Sequence, residues 1–292
     1  MPSKYDLHSH PTMHASAQTS RSMAPSRSLM PDDQAAGLRQ MFATRSLRFI
    51  PVVANDVAGG GGLVLERLCS AFDSMGLRTL VVDASDRARP PCELAEFDLS
   101  EGIETLSSHV SYMAARGLPL RYVDARGHCD ALLDALADAS PQTDVVLVHA
   151  AASELVRIFG HRGRGHSLRP LVFTSDLADG LKEAYAAIKL FSQRAGWMVY
   201  DLVVCAPPIS RQADVVAERL ARCADNFLGV AQRDWQLLDP LASAHENPEP
   251  GQMAMAADLL RHALPVALSD SAFEHLVSPG AALPARQAPV LN

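Results

Sequence analysis

Apolar positions along the chain fall into a repeating order of short solid runs and longer amphipathic stretches. Arg48–Ala54, Arg78–Asp83, Leu120–Asp124, Asp144–His149, Pro170–Thr174 and Met198–Cys205 are brief and nearly continuous in apolar residues. Such runs are expected of strands buried on both faces. Between them, Leu63–Met75, Cys129–Ala137 and Ala178–Arg194 carry apolar side chains at three- and four-residue spacing, the period of a helix packed on one face. A helix over Arg211–Cys223 and a strand over Phe227–Val230 close the series. Strands alternating with helices predict an α/β fold, doubly wound around a mostly parallel sheet. The alternation occupies residues 47–240, one large domain.

Both ends depart from this rhythm. Residues 1–30 mix Ser, Thr, His, Met and Pro without period and read as a disordered leader. Within 31–44, Pro31 with Asp32 or Asp33 can open a helix, and Ala35, Leu38, Met41 and Phe42 give it one apolar face. A helix this short needs a partner or the main domain to hold it. Residues 241–292 form a Pro-, Glu- and Ala-rich tail with one predicted helix, Gln252–Leu264.

Composition narrows the classes. Hydrophobic residues make up 48% of the 292 and charged residues 20%, enough for a sizeable core. A net charge of -7 argues against nucleic acid as a partner. No run approaches the ~18 apolar residues of a membrane-spanning helix, and MPSKYDLHSH has neither the charged start nor the apolar stretch of a secretory signal. The five cysteines (Cys69, Cys92, Cys129, Cys205, Cys223) are scattered and never form a CxxC pair, as expected of free thiols in a reducing compartment. The expected location is cytoplasmic.

Candidate chemistry starts at the first strand. A strand, a Gly-rich turn and a helix at the start of a parallel sheet form an anion site from backbone N–H groups and the helix N-terminus. VVANDVAGGGGLVLERLCSAFDSMGLRTLVVDAS resembles the opening of the MinD/ParA family of deviant Walker ATPases, a P-loop NTPase fold. That family writes its loop KGGVGKT and ends the next strand in DxD. The resemblance runs to about residue 240. It implies a nucleotide site of which Gly59, Gly60, Gly62 and Asp83 are vestiges. The family's first lysine falls on Ala58, its phosphate-binding lysine on Leu63 and its Mg²⁺-binding hydroxyl on Val64. The second Asp of DxD falls on Ser85, the Asp near the metal on His149, and the adenine-contacting Asn on Cys205. Phosphoryl transfer rests on positioning and on charge supplied by Lys and Mg²⁺, so the resemblance implies a pseudo-ATPase with no cofactor. An altered but working ATP site, with Asp83 toward the metal, is the alternative.

A second resemblance identifies a branch. Asp33–Arg39 reads DQAAGLR, just before the first strand. It is similar to the DQAxxLR motif of the FlhG/FleN flagellar-number regulators, whose N-terminal helix engages the signal-recognition-type GTPase FlhF. FTSDLADGLKEAYAAIKLFSQRAG and ERLARCADNFLGVAQRDWQLLDP resemble later segments of the same branch. The resemblance implies that Asp33, Gln34 and Arg39 meet the GTPase, with Ala35 and Leu38 as the apolar anchor. The other reading of these residues is an amphipathic helix packed on its own domain, capped by Asp33. The implied output is flagellar number or assembly; a scaffold in another localisation system, such as cellulose synthesis, is the alternative. Without ATP-driven dimerisation the expected state is a monomer or a nucleotide-independent dimer.

Four further signals have more ordinary readings. Tyr5–His10, YDLHSH, has the DxHxH opening of metal-dependent phosphoesterases, yet no predicted strand follows, so no metal site is expected. Arg157, His161, Arg162, Arg164, His166 and Arg169 form a local basic cluster, able to grip a phosphate or an acidic partner, though such Gly/Arg loops are more often solvated connections. His128 and Cys129 adjoin without anything to orient them as a nucleophilic pair. The tail helix carries Arg261 as its one evident cation, too few for a membrane-surface helix.

Overall fold

The computed structural model describes residues 46–241 and 247–268. The leader, the predicted helix at 31–44 with Asp33, Gln34, Ala35, Leu38 and Arg39, and YDLHSH all lie outside the described residues.

Strands β1 (Ser46–Val53), β2 (Thr79–Asp83), β3 (Ile103–Thr105), β4 (Val110–Ala114), β5 (Val145–Ala150), β6 (Leu171–Ser175), β7 (Val199–Cys205), β8 (Ala231–Leu238) and β9 (Leu264–Ala267) form one sheet. Its order is β3-β4-β2-β5-β1-β6-β7-β8, with β9 paired to β1. All pairs are parallel except β3 with β4 and β9 with β1. Helices α1 (Gly61–Ser74) and α6 (Pro250–Arg261) share a core on one face with Ile50, Val52, Leu147 and Phe173. Helices α2 (Ala131–Ala139), α3 (Ala152–Phe159), α4 (Ala178–Leu190) and α5 (Gln212–Leu228) share a second core with Phe49, Val148 and Leu202. The fold is therefore the expected doubly wound, mostly parallel α/β sheet, and β5 and β6, buried at every position, show why their sequences read as solid apolar runs.

Three expected elements differ. Leu120–Asp124 is no strand: Leu118–Tyr122 forms a 3₁₀ turn with Pro119 in its first turn, where proline's missing N–H would spoil a sheet ladder, and Leu120 is exposed. The strand beside β2 is Val110–Ala114 instead, only partly buried near the sheet edge and hence mixed in composition. The strand expected at Phe227–Val230 falls half in α5, which runs to Leu228 and leaves Phe227 exposed; left-handed Gly229 ends it, and β8 begins at Ala231. The helix expected over 178–194 gives way after Leu190 to a π-helical turn, Phe191–Ala195. The sheet also has elements the pattern did not mark, α3 and β9 among them.

Candidate functional site

The Gly-rich turn joins the end of β1 to α1. Gly59 and Gly60 both have left-handed backbones, φ 68° and 75°, which glycine alone adopts without steric cost. Gly60 leads into α1, and its carbonyl accepts the first helical bond, from the Val64 N–H at 3.0 Å. The turn is pinned from below by Asn55. Its Nδ2 donates to the carbonyls of Phe173 (3.0 Å) and Gly180 (3.1 Å), while its Oδ1 accepts from the Ala58 N–H (3.0 Å). A buried amide with all these bonds made fixes the turn against β6 and α4.

The turn borders a cavity of about 200 Å³ lined by Asn55, Asp56, Gly59 to Gly62, Asp83, Ser85, Arg87, His149 and Phe173. The fold thus brings Gly59, Gly60, Gly62 and Asp83 together. Asp83 and His149 are register partners at the ends of adjacent strands. Asp83 Oδ1 lies 2.9 Å from His149 Nδ1 and accepts from the Ser85 N–H at 3.1 Å. Burial raises the Asp83 carboxyl, but the hydrogen bonds from His149 and Ser85 outweigh it and hold it below its ordinary value. An ionised carboxylate only accepts, so Nδ1 donates to it, and the other ring nitrogen is Nε2. That Nε2 is buried with no partner, and a Cβ on Gly61 would come within 3.2 Å of it.

Both carboxylates of the cavity have partners. Arg87 donates to the Asp56 carbonyl (2.7 Å) and faces its carboxylate (3.4 Å). The chain has three lysines, Lys4, Lys182 and Lys189; among the described residues no lysine lines the cavity, and Lys182 is paired with Asp179. Leu63 packs against the α1-side core and Val64 is 2% exposed within it. Ala58 also packs on that core, and Cys205, 7% exposed, lies where a Cβ on Gly60 would be 3.2 Å from its Sγ. Burial pushes the Cys205 thiol up to about 12, so it is not a nucleophile. Among the described residues no group of three or more His, Cys, Asp or Glu is placed to hold a metal.

Sequence reasoning aligned Asp83 and His149 separately and missed that they form a dyad. Two consecutive-in-space parallel strands each ending in a polar residue were the available signal. Asn55 was also missed, because its role depends on β6 and α4, distant in sequence. At the other candidate pair, Cys129 is fully buried and its thiol is raised by that burial, while His128 stacks on His161 at 5.2 Å; the two make no nucleophilic pair. All five cysteines are free. Among the described residues no helix is long and apolar enough to cross a membrane.

No protein-family model matches the chain, and no curated protein sequence does. Solved structures do. A ParA family ATPase from Chlorobium tepidum is 14% identical, with 73% of this chain and 98% of that one covered and a TM-score of 0.48. The MinD cell division protein of Aquifex aeolicus is 10% identical over 76% and 99%, TM-score 0.48. A cobyrinic acid a,c-diamide synthase from Mycobacterium smegmatis is 16% identical over 74% and 94%, TM-score 0.48.

Proposed function

We propose that the chain is a MinD-like regulator of flagellar number or assembly that works without hydrolysing ATP, and that it binds an FlhF-type GTPase through Asp33–Arg39. The observation that carries the first half is the cavity at the Gly-rich turn. Leu63 and Val64 stand where the family's lysine and hydroxyl would be, and their side chains serve the core. The cavity's two carboxylates are already engaged, by Arg87 and by His149. Its buried unpartnered group is His149 Nε2, a single ring nitrogen where the family sets a lysine and a metal. Each missing charge-assisted hydrogen bond is worth about 1.5–3 kcal/mol. Losing several weakens nucleotide binding by on the order of 10⁴-fold, at about 1.4 kcal/mol per decade. The second half rests on DQAAGLR, which supplies a helix-in-groove contact of Ala35 and Leu38 edged by Asp33, Gln34 and Arg39.

The test is calorimetric titration of the full chain with the FlhF-type GTPase of the same cell, comparing the natural sequence with Arg39→Ala, each without and with ATP. Micromolar or tighter binding that needs Arg39 and ignores ATP is expected. Absence of binding in every condition would overturn the partner assignment and leave the fold alone standing.

A second reading is a nucleotide-dependent ATPase with an altered loop. The open left-handed turn and Asp83 facing the cavity favour it. It requires ATP with Mg²⁺ to raise the thermal midpoint, since a ligand that binds only the folded state must stabilise it. The second reading requires that shift to be lost in Asp83→Asn, and the first expects Asp83→Asn to leave any effect of ATP unchanged.

A further inference from the structure

At the opposite edge of the sheet from the Gly-rich turn, the segments entering β6, β7 and β8 enclose a much larger cleft, about 870 Å³. It falls within the range of small-molecule sites, about 300–1,000 Å³. Its wall carries Arg164, His166, Arg169, Arg194, Arg233 and His262. Among the described residues the sole carboxylate on that wall is Asp258, already held by Arg169 and Arg261. Arg164, Arg194 and Arg233 are exposed and pair with no carboxylate among the described residues. A chain of net charge -7 has thus gathered in one concavity guanidinium groups that pair with no carboxylate among the described residues.

The floor is built rigidly. Arg169 is 5% exposed, bonded to Asp258 and to the His262 ring, with Asp201 3.7 Å away. Trp197, 4% exposed, is wedged between Phe159 (6.4 Å, edge-on) and Phe191 (4.9 Å, tilted). Two donors there are buried and unpartnered, the Trp197 Nε1–H and the Arg169 Nε–H. The indole N–H faces Gly163, where a Cβ would come within 3.3 Å of it. Exposed arginines ringing this rigid floor make the concavity electropositive, which suits an acceptor-rich, negatively charged occupant.

We propose that this cleft binds a small soluble molecule carrying a diphosphate or two phosphate esters, with Arg164, Arg194 and Arg233 as its ligands. Planar guanidinium forks match phosphate oxygens in pairs. An adjoining hollow lined by Arg157, which shares Arg164 and Arg194, extends the cationic surface. The site is independent of the Gly-rich turn and of the function proposed above.

The experiment is calorimetric titration of the full chain with pyrophosphate, with ATP and with an oligoglutamate peptide, over a range of salt. The natural sequence is compared with Arg194→Gln/Arg233→Gln and with Lys182→Gln, an exposed cation elsewhere. Pyrophosphate or ATP should bind, weaken with salt and lose on the order of tenfold in affinity per arginine removed, while Lys182→Gln changes nothing. Both arginines are exposed, so the double variant should fold, and an unaltered thermal midpoint verifies it. Three results would each overturn the proposal: no binding of either phosphate compound at millimolar concentration, binding indifferent to the two arginines, or oligoglutamate binding as tightly as pyrophosphate, which would make the cleft a face for acidic protein.

Discussion

Asp201 sits third in β7, 0% exposed, with neither carboxylate oxygen hydrogen-bonded and Arg169 Nη1 at 3.7 Å from Oδ2. Burial pushes its carboxyl from 3.8 up to about 6; the Arg169 charge opposes this, Asp258 and Asp234 add to it, and His262 opposes it weakly. The folded chain therefore holds this proton more tightly than the unfolded chain. Between about pH 4 and 6 the unfolded state releases it first, so stability falls as pH rises through that window and levels off above it. Two pKa units correspond to about 3 kcal/mol. Asp201→Asn removes the titration. Urea unfolding across pH 4 to 7 should show the natural chain losing on the order of 2–3 kcal/mol that the variant does not lose, with the variant no less stable at neutral pH. A variant much weaker at neutral pH would mean that the Asp201–Arg169 attraction exceeds the cost of burying the charge. Nothing in the sequence marked Asp201: a lone Asp inside the run Met198–Cys205 reads as one polar position in a strand, and its burial follows from Arg169 and α6, which are far apart along the chain.

At the scale of an element, the Gly-rich turn separates glycines that need to be glycine from those that do not. Gly60 has φ 75°, and a Cβ there would lie 3.2 Å from Cys205 Sγ. Gly62, in the first turn of α1, has a helical backbone and nothing within 4 Å of an added Cβ. Gly60→Ala should cost about 1–3 kcal/mol through left-handed strain and contact with β7. Gly62→Ala should be neutral or stabilising by about 0.5–1 kcal/mol, because alanine restricts the unfolded chain without strain. Chemical denaturation of the two single variants checks both; equal effects would show that the turn does not have this backbone. The tract's role as a strand-to-helix turn was legible in the sequence, since four glycines between an apolar run and an amphipathic stretch leave few alternatives. Which glycines are left-handed was not, because the turn is pinned by Asn55 donating to carbonyls on β6 and α4, distant in sequence. The same division holds for strands. β5 and β6, buried on both faces, were readable as solid runs, whereas β4 and β8 carry exposed or half-buried residues and lose that signature.

For the whole molecule, the described C-terminal residues close the sheet. β1 meets β6 at one register pair, Val52 with Leu171, so the first half of β1 would lack a neighbour on that side. β9 supplies it, antiparallel, with Leu47 opposite Val266 and Phe49 opposite Leu264. Its alternation puts Leu264 and Val266 inside and Pro265 and Ala267 outside. α6 delivers β9 to this position by packing Met255, Ala256 and Leu259 into the core shared with α1. A four-residue strand beginning Leu-Pro gives too little pattern to be seen in the sequence; its cause is the gap beside β1, a property of the assembled sheet. Burying Leu264 and Val266 is worth about 1.5–3 kcal/mol each, a large share of a domain stability of about 5–15 kcal/mol. Leu264→Ala/Val266→Ala should therefore lower unfolding free energy by about 3–6 kcal/mol, both through lost burial and through cavities that backbone pairing prevents from collapsing. An unpaired half of β1 would also present a bare edge at the centre of the sheet, so the variant should associate at concentrations where the natural chain does not. Urea denaturation combined with light scattering reads both effects. Loss of less than about 1 kcal/mol, the ordinary range for surface substitutions, with no association, would mean that β1 holds its place without β9 and that the closure is not structural.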